Sequence, residues 1–323
     1  MLKDRLTLAA ERGLLTGPVL VIGARANDDL SDLPGSPQII QGMKPDHDAL
    51  QTAGHDVRLT PEGRFASAVV VLPRAKALAR DRIARASAVT DGPILVDGQK
   101  TDGVESLLKD VRRRGATTGE VISKAHGKIF AILDGDFDDW RQEPARNAHD
   151  FLVPPGGFSA DEVDPGSALL AAALPDKLSG RVVDLGAGWG YLSRMVLGYE
   201  AVTHCALVEA DHASLDCARQ NITDPRAGFH WQDARGFRPE AAADHVVMNP
   251  PFHQGRDADP DLGRAFIDAA AASLTPSGHL WLVANRHLPY EGVLEARFGY
   301  LEELPGAPAY KLYHAARPRK SRR

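Results

Sequence analysis

Short β-rich runs alternate with helical stretches along the second half of the chain, and this alternation constrains the fold more than any other feature. The β-rich runs lie at Arg181–Leu185, Cys205–Glu209, Gly228–Asp233, His245–Asn249 and His279–Ala284. The helical stretches lie at Gly190–Leu197, Asp211–Asn221, Leu262–Leu274 and Tyr290–Phe298. A strand followed by a helix, repeated, predicts an α/β fold with a mostly parallel sheet covered on both faces. Two later runs, Tyr300–Leu304 and Tyr310–Ala315, predict an antiparallel hairpin at the sheet edge.

The segment Glu143–Gly166 is rich in proline and glycine and has neither helical nor alternating periodicity, which is typical of a linker. A chain of 323 residues is long enough for two separate cores. We therefore expect two domains, residues 1–150 and residues 151–323.

The first half of the chain repeats the pattern of the second half. AVVVLPRAK precedes a helix and GPILVDGQK follows it, as HVVMNPPFH and GHLWLVANR do in the second half. The run Val19–Ile22 ends at Gly23 in the same way as Val182–Leu185 ends at Gly186. This repeat predicts two tandem copies of one α/β fold, with the edge hairpin expected only in the second copy.

Hydropathy and cysteine content exclude several classes of protein. The longest uncharged apolar run, Ala168–Leu174, is about seven residues long and is too short to span a bilayer. The charged N-terminus lacks the apolar region of a signal peptide. Cys205 and Cys217 offer neither metal-ligand spacing nor a disulfide framework. We expect a cytoplasmic protein that binds no membrane and no metal.

A glycine-rich loop and three acidic residues indicate the ligand. Asp184-Leu-Gly-Ala-Gly-Trp-Gly190 joins a predicted strand to a predicted helix, and its glycines let the backbone approach a ligand. Asp184 would repel a pyrophosphate and attract an ammonium group. Glu209 ends the next strand, where it suits ribose hydroxyls, and Asp233 ends the third strand, where it suits the adenine amino group. Together these residues favour a positively charged adenosyl ligand, S-adenosylmethionine.

The sequence Asn249-Pro-Pro-Phe252 ends the fourth predicted strand. Two prolines hold the chain extended and remove two N–H donors, so the turn is suited to accepting hydrogen bonds. The Asn249 side-chain oxygen and the Pro250 carbonyl can each accept one N–H of a planar amino group, which would position its nitrogen for methylation. Phe252 offers a face for a stacked base.

The first copy lacks both the glycine-rich loop and the Asn-Pro-Pro-Phe turn of the second copy. Gly23 is followed by Ala24 and Arg25, whose side chains would occupy the place of the cofactor, and Leu72 stands where the second copy has Asn249. We therefore interpret the first copy as degenerate and expect one cofactor per chain.

These motifs resemble the class I S-adenosylmethionine-dependent methyltransferases and, more narrowly, the bacterial ribosomal RNA small subunit methyltransferase C family. Members of that family methylate the N2 amine of guanine in 16S rRNA. The matching stretches are PGGFSADEVDPGSALL, the glycine-rich loop, NPPFHQG, GHLWLVANRHLPYEGVLEARF and YKLYHAARPR, which cover most of residues 151–323.

The resemblance implies two Rossmann-like methyltransferase domains, of which the N-terminal one has lost cofactor binding and serves RNA recognition or structural support. It implies catalytic roles for Asn249, Pro250 and Phe252. It implies cofactor contacts at Phe158, Asp184, Gly186, Gly188, Gly190, Glu209, Asp233, Ala234 and Asn249. The segment around Phe158 is expected to close over the site.

The distribution of charge shows where RNA would bind. Residues 151–316 carry a net charge of −9, so RNA affinity depends on basic patches and on the tail RPRKSRR. One patch is the predicted helix from Arg74 to Arg85, on which only Asp81 opposes the cations, and another is the run Arg112–Arg114. We expect ribosomal RNA or the small subunit as the partner of a monomeric enzyme.

An Asn-Pro-Pro-Phe turn recognises a planar amine or amide and is not specific for guanine. Methylation of a protein glutamine at N5 and of adenine at N6 remain alternatives, as does a non-catalytic RNA-binding assembly factor. The α/β first half with its basic patches favours RNA, and the intact second-half motifs favour catalysis.

Overall fold

The computed structural model describes residues 2–251, 253–254, 257–258 and 260–319. The chain divides into two compact units, residues 1–143 and residues 144–323. Each unit contains one seven-stranded sheet.

The first unit has helices before and between the strands of its sheet. Its strands are β1 (Val19–Ile22), β2 (Gln38–Ile40), β3 (Asp56–Arg58), β4 (Ser67–Val71), β5 (Ile94–Gln99), β6 (Thr117–Lys124) and β7 (Gly127–Asp134). Its helices are α1 (Leu2–Glu11), α2 (Lys44–Thr52), α3 (Lys76–Val89) and α4 (Val104–Arg113). The strand order is β3-β2-β1-β4-β5-β7-β6, and β7 runs antiparallel to both of its neighbours.

The second unit has the same arrangement. Its strands are β8 (Ala145–Arg146), β9 (Leu152–Val153), β10 (Gly180–Leu185), β11 (Val202–Glu209), β12 (Ala227–Trp231), β13 (Ala243–Met248), β14 (His253–Gln254), β15 (Asp257–Ala258), β16 (Leu274–Asn285), β17 (Phe298–Ala307) and β18 (Tyr310–Pro318). Its helices are α5 (Pro165–Ala173), α6 (Tyr191–Leu197), α7 (His212–Asn221), α8 (Pro260–Ser273) and α9 (Glu291–Arg297). The main sheet has the order β12-β11-β10-β13-β16-β18-β17, with β18 antiparallel to both neighbours.

The identical strand order of the two sheets confirms the predicted α/β fold in two copies. The antiparallel edge occurs in both sheets, however, and not only in the second. The sequence carries no signal for the first hairpin, because its turn residues, Ala125 and His126, have φ of 51° and 60° without the Asn-Gly or Asp-Gly sequence that usually marks such a turn.

The central strands of the second sheet are apolar because helices cover both of their faces. Leu170 of α5 packs with Val182 on one face. Phe266 of α8 packs with Val183 and Leu185 on the other face. Consecutive residues of β10 are therefore buried whichever way they point, as in parallel sheets generally.

The segment Glu143–Gly166 is not a simple linker. It forms the short pair β8–β9, and Phe151 and Val153 are buried beside Trp189. Asn221 at the end of α7 accepts a hydrogen bond from the Leu152 N–H and donates one to the Leu152 carbonyl, at 2.7 and 2.8 Å. Because glycine and proline dominate this segment, its sequence pattern does not indicate that its apolar side chains belong to the core of the second unit.

The positive charges of α3, the basic helix of the first unit, are balanced by Asp110 as well as by Asp81. Asp110 of α4, which is 7% exposed, pairs with Lys76 at 2.6 Å and with Arg80 at 2.7 Å. These cations therefore join two helices as well as adding to the surface charge. In the described part of the chain, no helix is long and apolar enough to cross a membrane.

Candidate active site

The glycine-rich loop begins where β10 ends and leads into α6. Gly186, Gly188 and Gly190 have φ of 77°, 56° and 94°, a conformation that residues with a β-carbon rarely adopt. A β-carbon at Gly190 would lie 2.8 Å from Ile222 Cδ1, whereas one at Gly188 would meet no described atom within 4 Å. Packing therefore requires Gly190, and Gly188 borders open space.

Asp184 is the penultimate residue of β10 and is fully buried. Its Oδ2 accepts a hydrogen bond of 2.6 Å from Ser193 Oγ, while Oδ1 has no hydrogen-bond partner among the described residues. Burial is the main cause that raises the pKa of this carboxyl to about 7. A buried, unpartnered carboxyl oxygen is costly unless a donor reaches it, so this atom marks a place for a ligand donor.

Glu209 ends β11, the neighbour of β10 in the sheet. Its Oε2 accepts a hydrogen bond of 2.8 Å from the Gly188 N–H, and its Oε1 accepts one of 2.7 Å from the Asp211 N–H. Burial raises the pKa of Glu209 to about 7, although these two hydrogen bonds act in the opposite direction. The carboxylate is thus held directly against the glycine-rich loop.

Asp233 and Ala234 follow β12 and lie further along the rim. The two Asp233 carboxylate oxygens accept hydrogen bonds of 2.6–3.0 Å from the Arg235 side chain, and Ala234 is 4% exposed. Neither residue lines the pocket described below. The structure therefore adds no support for the adenine contact expected at Asp233, which stays a prediction.

Asn249 and Pro250 follow β13, the strand that neighbours β10 on the side away from β11. Asn249 Nδ2 donates hydrogen bonds to Asp164 Oδ2 at 2.8 Å and to Ser167 Oγ at 2.9 Å. The turn packs against the glycine-rich loop, because a β-carbon at Gly186 would lie 3.9 Å from Pro251 Cδ. Phe252, the predicted stacking residue, lies outside the described residues.

Phe158 is 56% exposed although it is large and apolar. Its main-chain carbonyl accepts a hydrogen bond of 2.8 Å from Trp189 Nε1 in the glycine-rich loop. The Phe158 segment is therefore attached to the loop through its backbone, which leaves the ring free to meet a ligand.

One pocket lies beside the glycine-rich loop, with about 400 Å³ of empty space that includes its opening to solvent. It is lined by Phe158, Asp164, Ser167, Gly186, Ala187, Gly188, Trp189, Tyr191, Leu192 and Asn249. The structure thus brings the glycine-rich loop, Phe158 and Asn249 together. Asp164, Ser167 and Trp189 are functional candidates that the sequence motifs do not indicate. The Asp-Pro-Gly-Ser sequence could have drawn attention to the first two, since it is a helix N-cap followed by proline at the first helical position.

In the first unit a cationic side chain lies against Gly23, the counterpart of Gly186. A β-carbon at Gly23 would lie 2.1 Å from Arg82 Nη1, and the same Nη1 donates a hydrogen bond of 2.7 Å to the Val71 carbonyl. The cation that takes this place is therefore Arg82 of α3, and not Arg25, which is exposed.

The counterpart of Asn249 also differs from the expected residue. When Gly23 is aligned with Gly186, β1 pairs with β4 in the same register as β10 pairs with β13. In that register the counterpart of Asn249 is Val71. Leu72 belongs to the core cluster on the opposite face of the sheet. Leu72 and Asn249 each precede a proline, and an alignment on these prolines is one residue away from the register of the strands, on the other face of the sheet.

The residues in and beside the second-unit pocket fit S-adenosylmethionine; Asp184 and Glu209 adjoin the lining of the pocket and are not part of it. The unpartnered Asp184 oxygen suits a positively charged donor, Glu209 suits hydroxyl groups beside the loop, and the space at Gly188 lets a ligand approach the backbone. Among the described residues, no three histidine, cysteine or acidic side chains are arranged to hold a metal ion.

Comparisons with known proteins agree with this description. A family model described as methyltransferase small domain matches residues 148–314. A ribosomal RNA small subunit methyltransferase C of Pseudomonas aeruginosa (strain UCBPP-PA14) is 27% identical over 336 residues, which cover 96% of this chain and 98% of the relative. A protein of the same name from Shewanella sp. (strain MR-7) is 28% identical over 278 residues, which cover 80% of this chain and 79% of the relative.

One solved structure is similar over almost the whole chain. It is a 16S rRNA N2 methyltransferase of T. thermophilus in complex with AdoMet and guanosine, with a TM-score of 0.80 and 25% sequence identity. The match covers 98% of this chain and 91% of that one. The family resemblance read from the motifs is therefore confirmed.

Proposed function

The chain belongs to the methyltransferase small domain family, and we propose that it transfers a methyl group from S-adenosylmethionine to the exocyclic N2 amine of a guanine in 16S ribosomal RNA. The observation that carries this proposal is the pocket in which Asn249 and the glycine-rich loop meet. The amine-binding group and the cofactor-binding loop are thus side by side, as a direct transfer requires. The relatives named above supply the choice of guanine N2 and of 16S rRNA.

The cofactor-binding residues in this proposal are Asp184, Glu209 and the glycine-rich loop, with Phe158 closing over the site. When bound, S-adenosylmethionine supplies the methyl group as an electrophile attached to a positively charged sulfur. The unpartnered Asp184 oxygen accepts a hydrogen bond from a cationic group, and Glu209 accepts hydrogen bonds from ribose hydroxyls. Asp233 and Ala234 complete the set as contacts to adenine.

Asn249 Oδ1 and the Pro250 carbonyl orient the target amine. Each oxygen accepts one N–H of the exocyclic amine, which turns the nitrogen lone pair towards the methyl group. As the nitrogen gains positive charge during transfer, the same two oxygens stabilise it. In the proposal, Phe252 stacks on the base.

The first unit is proposed to supply affinity for RNA and to take no part in the chemistry, since Arg82 lies against Gly23, the counterpart of Gly186, and bonds to the Val71 carbonyl. A ribosomal substrate also implies a cytoplasmic location in a bacterium. We propose that the enzyme acts as a monomer.

The test uses the full-length protein, 16S rRNA or small subunits from a strain that lacks the gene, and cofactor with an isotopically labelled methyl group. Nucleoside mass spectrometry should find the label in N2-methylguanosine. Label in N6-methyladenosine, in a protein glutamine, or in no product would overturn the proposal.

A further inference from the structure

The carboxamide of Asn249 is held by two residues that the proposed chemistry does not use, Asp164 and Ser167. Its Nδ2 donates to Asp164 Oδ2 at 2.8 Å and to Ser167 Oγ at 2.9 Å. Both hydrogens of the amide nitrogen are thereby engaged, so Oδ1 is the atom left to meet a ligand. All three residues line the pocket.

The charge of Asp164 determines which way the carboxamide points. An ionised carboxylate only accepts hydrogen bonds, so the reversed carboxamide would place Oδ1 against another acceptor. The hydrogen bond to a charged acceptor also polarises the amide and increases the negative charge on Oδ1. Asp164 therefore both orients this oxygen and strengthens it as an acceptor.

Asp164 is itself held rigidly by the start of α5. It is the N-cap of that helix, and its Oδ2 also accepts a hydrogen bond of 2.8 Å from the Ser167 N–H. Gly166 permits this close arrangement, because a β-carbon there would lie 2.9 Å from Tyr310 Cε1 and 3.0 Å from Asp164 Oδ2. The N-cap thus has a second task, on a residue 85 positions away in the chain.

We propose that Asp164 and Ser167 are positioning residues for methyl transfer, which turn Asn249 Oδ1 into the pocket as the acceptor for an N–H of the substrate. The inference rests on the proposed function and narrows its substrate class. The methylated nitrogen must carry a hydrogen, as an exocyclic amine or an amide does. A ring nitrogen with only a lone pair would face Oδ1 acceptor to acceptor and is excluded.

The first experiment measures turnover on 16S rRNA for Asp164→Ser, Asp164→Asn and Ser167→Ala. Serine at position 164 keeps a helix-capping oxygen but removes the carboxylate. For Asp164→Ser we expect kcat to fall by about 10- to 100-fold, part of the loss typical of one misplaced acceptor in an enclosed site. The cofactor Kd should change less than about threefold. Asp164→Asn, whose own oxygen can still accept from Asn249, should lose less than Asp164→Ser.

Ala172→Gly is the matched control. Ala172 is exposed on α5, so glycine there weakens the helix without touching Asn249. Its kcat should equal that of the wild type. An equal loss of kcat in Ala172→Gly and Asp164→Ser would reduce Asp164 to a structural role and overturn the proposal.

A double-mutant cycle tests the path through Asn249. In an Asn249→Ala background, single-turnover measurements should show no further loss from Asp164→Ser, because the residue it positions is gone. Additive losses would contradict the positioning role. Binding of guanosine to the cofactor-loaded protein gives a readout without turnover, and Asp164→Ser should weaken it by several-fold.

The failures of the two proposals are distinguishable. If the wild type methylates guanine N2 and Asp164→Ser is equally fast, only the positioning role is wrong. If the wild type methylates another amine, the assigned substrate is wrong, and the same variants are assayed on that amine. If the wild type methylates a nitrogen that carries no hydrogen, both are wrong.

Discussion

The two units of this protein share one strand order and differ in what stands at the carboxyl ends of their first and fourth strands. In the second unit, Asp184 is the penultimate residue of β10, an open glycine-rich loop follows that strand, and β13 is followed by Asn249. In the first unit, the counterpart of Asp184 is Val21, which is fully buried. The counterpart of Asn249 is Val71, also buried.

What fills the space between these strand ends differs most. In the first unit the Arg82 guanidinium lies against Gly23 and bonds to the Val71 carbonyl. In the second unit the nearest atom to a β-carbon at Gly186 is Phe266 Cε1, at 3.3 Å, and a pocket remains beside the loop. The same sheet forms in the unit that lacks the site, because the apolar strands that build the sheet are separate from the few site residues at its rim.

The largest effect, on cofactor binding, is expected when an arginine side chain is introduced at Gly186 of the second unit, just as Arg82 lies against Gly23 in the first. Gly186→Arg places a long cation beside the loop at a positive φ that strains any side chain. Calorimetric titration of the wild type should give one S-adenosylmethionine per chain, and Gly186→Arg should give none while its far-ultraviolet circular dichroism stays that of a folded protein.

Gly23→Ala in the first unit is the control for that variant. Its β-carbon would collide with Arg82, so we expect a lower Tm and an unchanged cofactor Kd. Two cofactors per wild-type chain, or a loss of binding in Gly23→Ala, would contradict the division of roles between the units.

The next effect concerns the fourth strands. Asn249→Ala should lower turnover by about 100- to 1000-fold, the cost of losing one positioned acceptor, and should change the cofactor Kd only a few-fold. Val71→Ala, at the counterpart position, should lower the free energy of unfolding by on the order of 2 kcal/mol through a cavity and leave turnover unchanged. Retention of more than a tenth of the activity in Asn249→Ala would show that its assigned role is wrong.

A smaller effect follows from Asp184 and Glu209, the carboxyl groups beside the glycine-rich loop of the second unit. The pKa values of Asp184 and Glu209 are each raised to about 7. Because a cationic ligand favours their ionised forms, the cofactor Kd should tighten from about pH 6 to about pH 8, by about tenfold for each carboxyl that must lose its proton. Calorimetry in buffers of different ionisation enthalpy would measure the protons released.

The same shifts predict how the stability of the cofactor-free protein depends on pH. Since the folded-state pKa values exceed the ordinary ones, the contribution of these groups is fully present below about pH 4 and is lost as the pH rises through about 7. Asp184→Asn should flatten the pH dependence of both Kd and stability. A Kd that does not change with pH in the wild type would argue against an ionised Asp184 in the complex.

The smallest effect is expected for RNA affinity. Arg112 and Arg113 are exposed on α4, and Arg113 Nη1 lies 3.4 Å from Asp110 Oδ1. The Arg112→Glu/Arg113→Glu protein should bind rRNA several-fold more weakly. The slope of log affinity against log salt should fall by about 0.7 to 0.9 for each phosphate that an arginine no longer neutralises.

Arg219→Glu, a charge reversal on the second unit, is the control for this comparison and should change affinity less. If the slope is unchanged in the Arg112/Arg113 variant, the run Arg112–Arg114 does not contact RNA phosphates. Arg80 and Arg82 are poor choices for the same test, because both make structural contacts within the first unit.

Much of the fold could be predicted because it depends on patterns local in sequence. The expected helix Asp211–Asn221 is observed as α7, and the expected strand Arg181–Leu185 as β10. The Ala125-His126 turn does not predict the hairpin of β6 and β7. The proline after Leu72 does not identify Val71 as the counterpart of Asn249. Both depend on strand pairing, in which a shift of one residue changes the face.

The amino-acid order alone places Asp184, Glu209 and Asn249 at or just after the ends of buried strands, because apolar runs stop there and parallel strands bring those ends to one rim. The partners of each side chain at the rim emerge only when the chain is packed. Asp233 is engaged by Arg235, Asn249 by Asp164 and Ser167, and Gly23 is covered by Arg82. Most of these partners are far apart in the chain, and they meet because helices pack on the sheet, which no local pattern encodes.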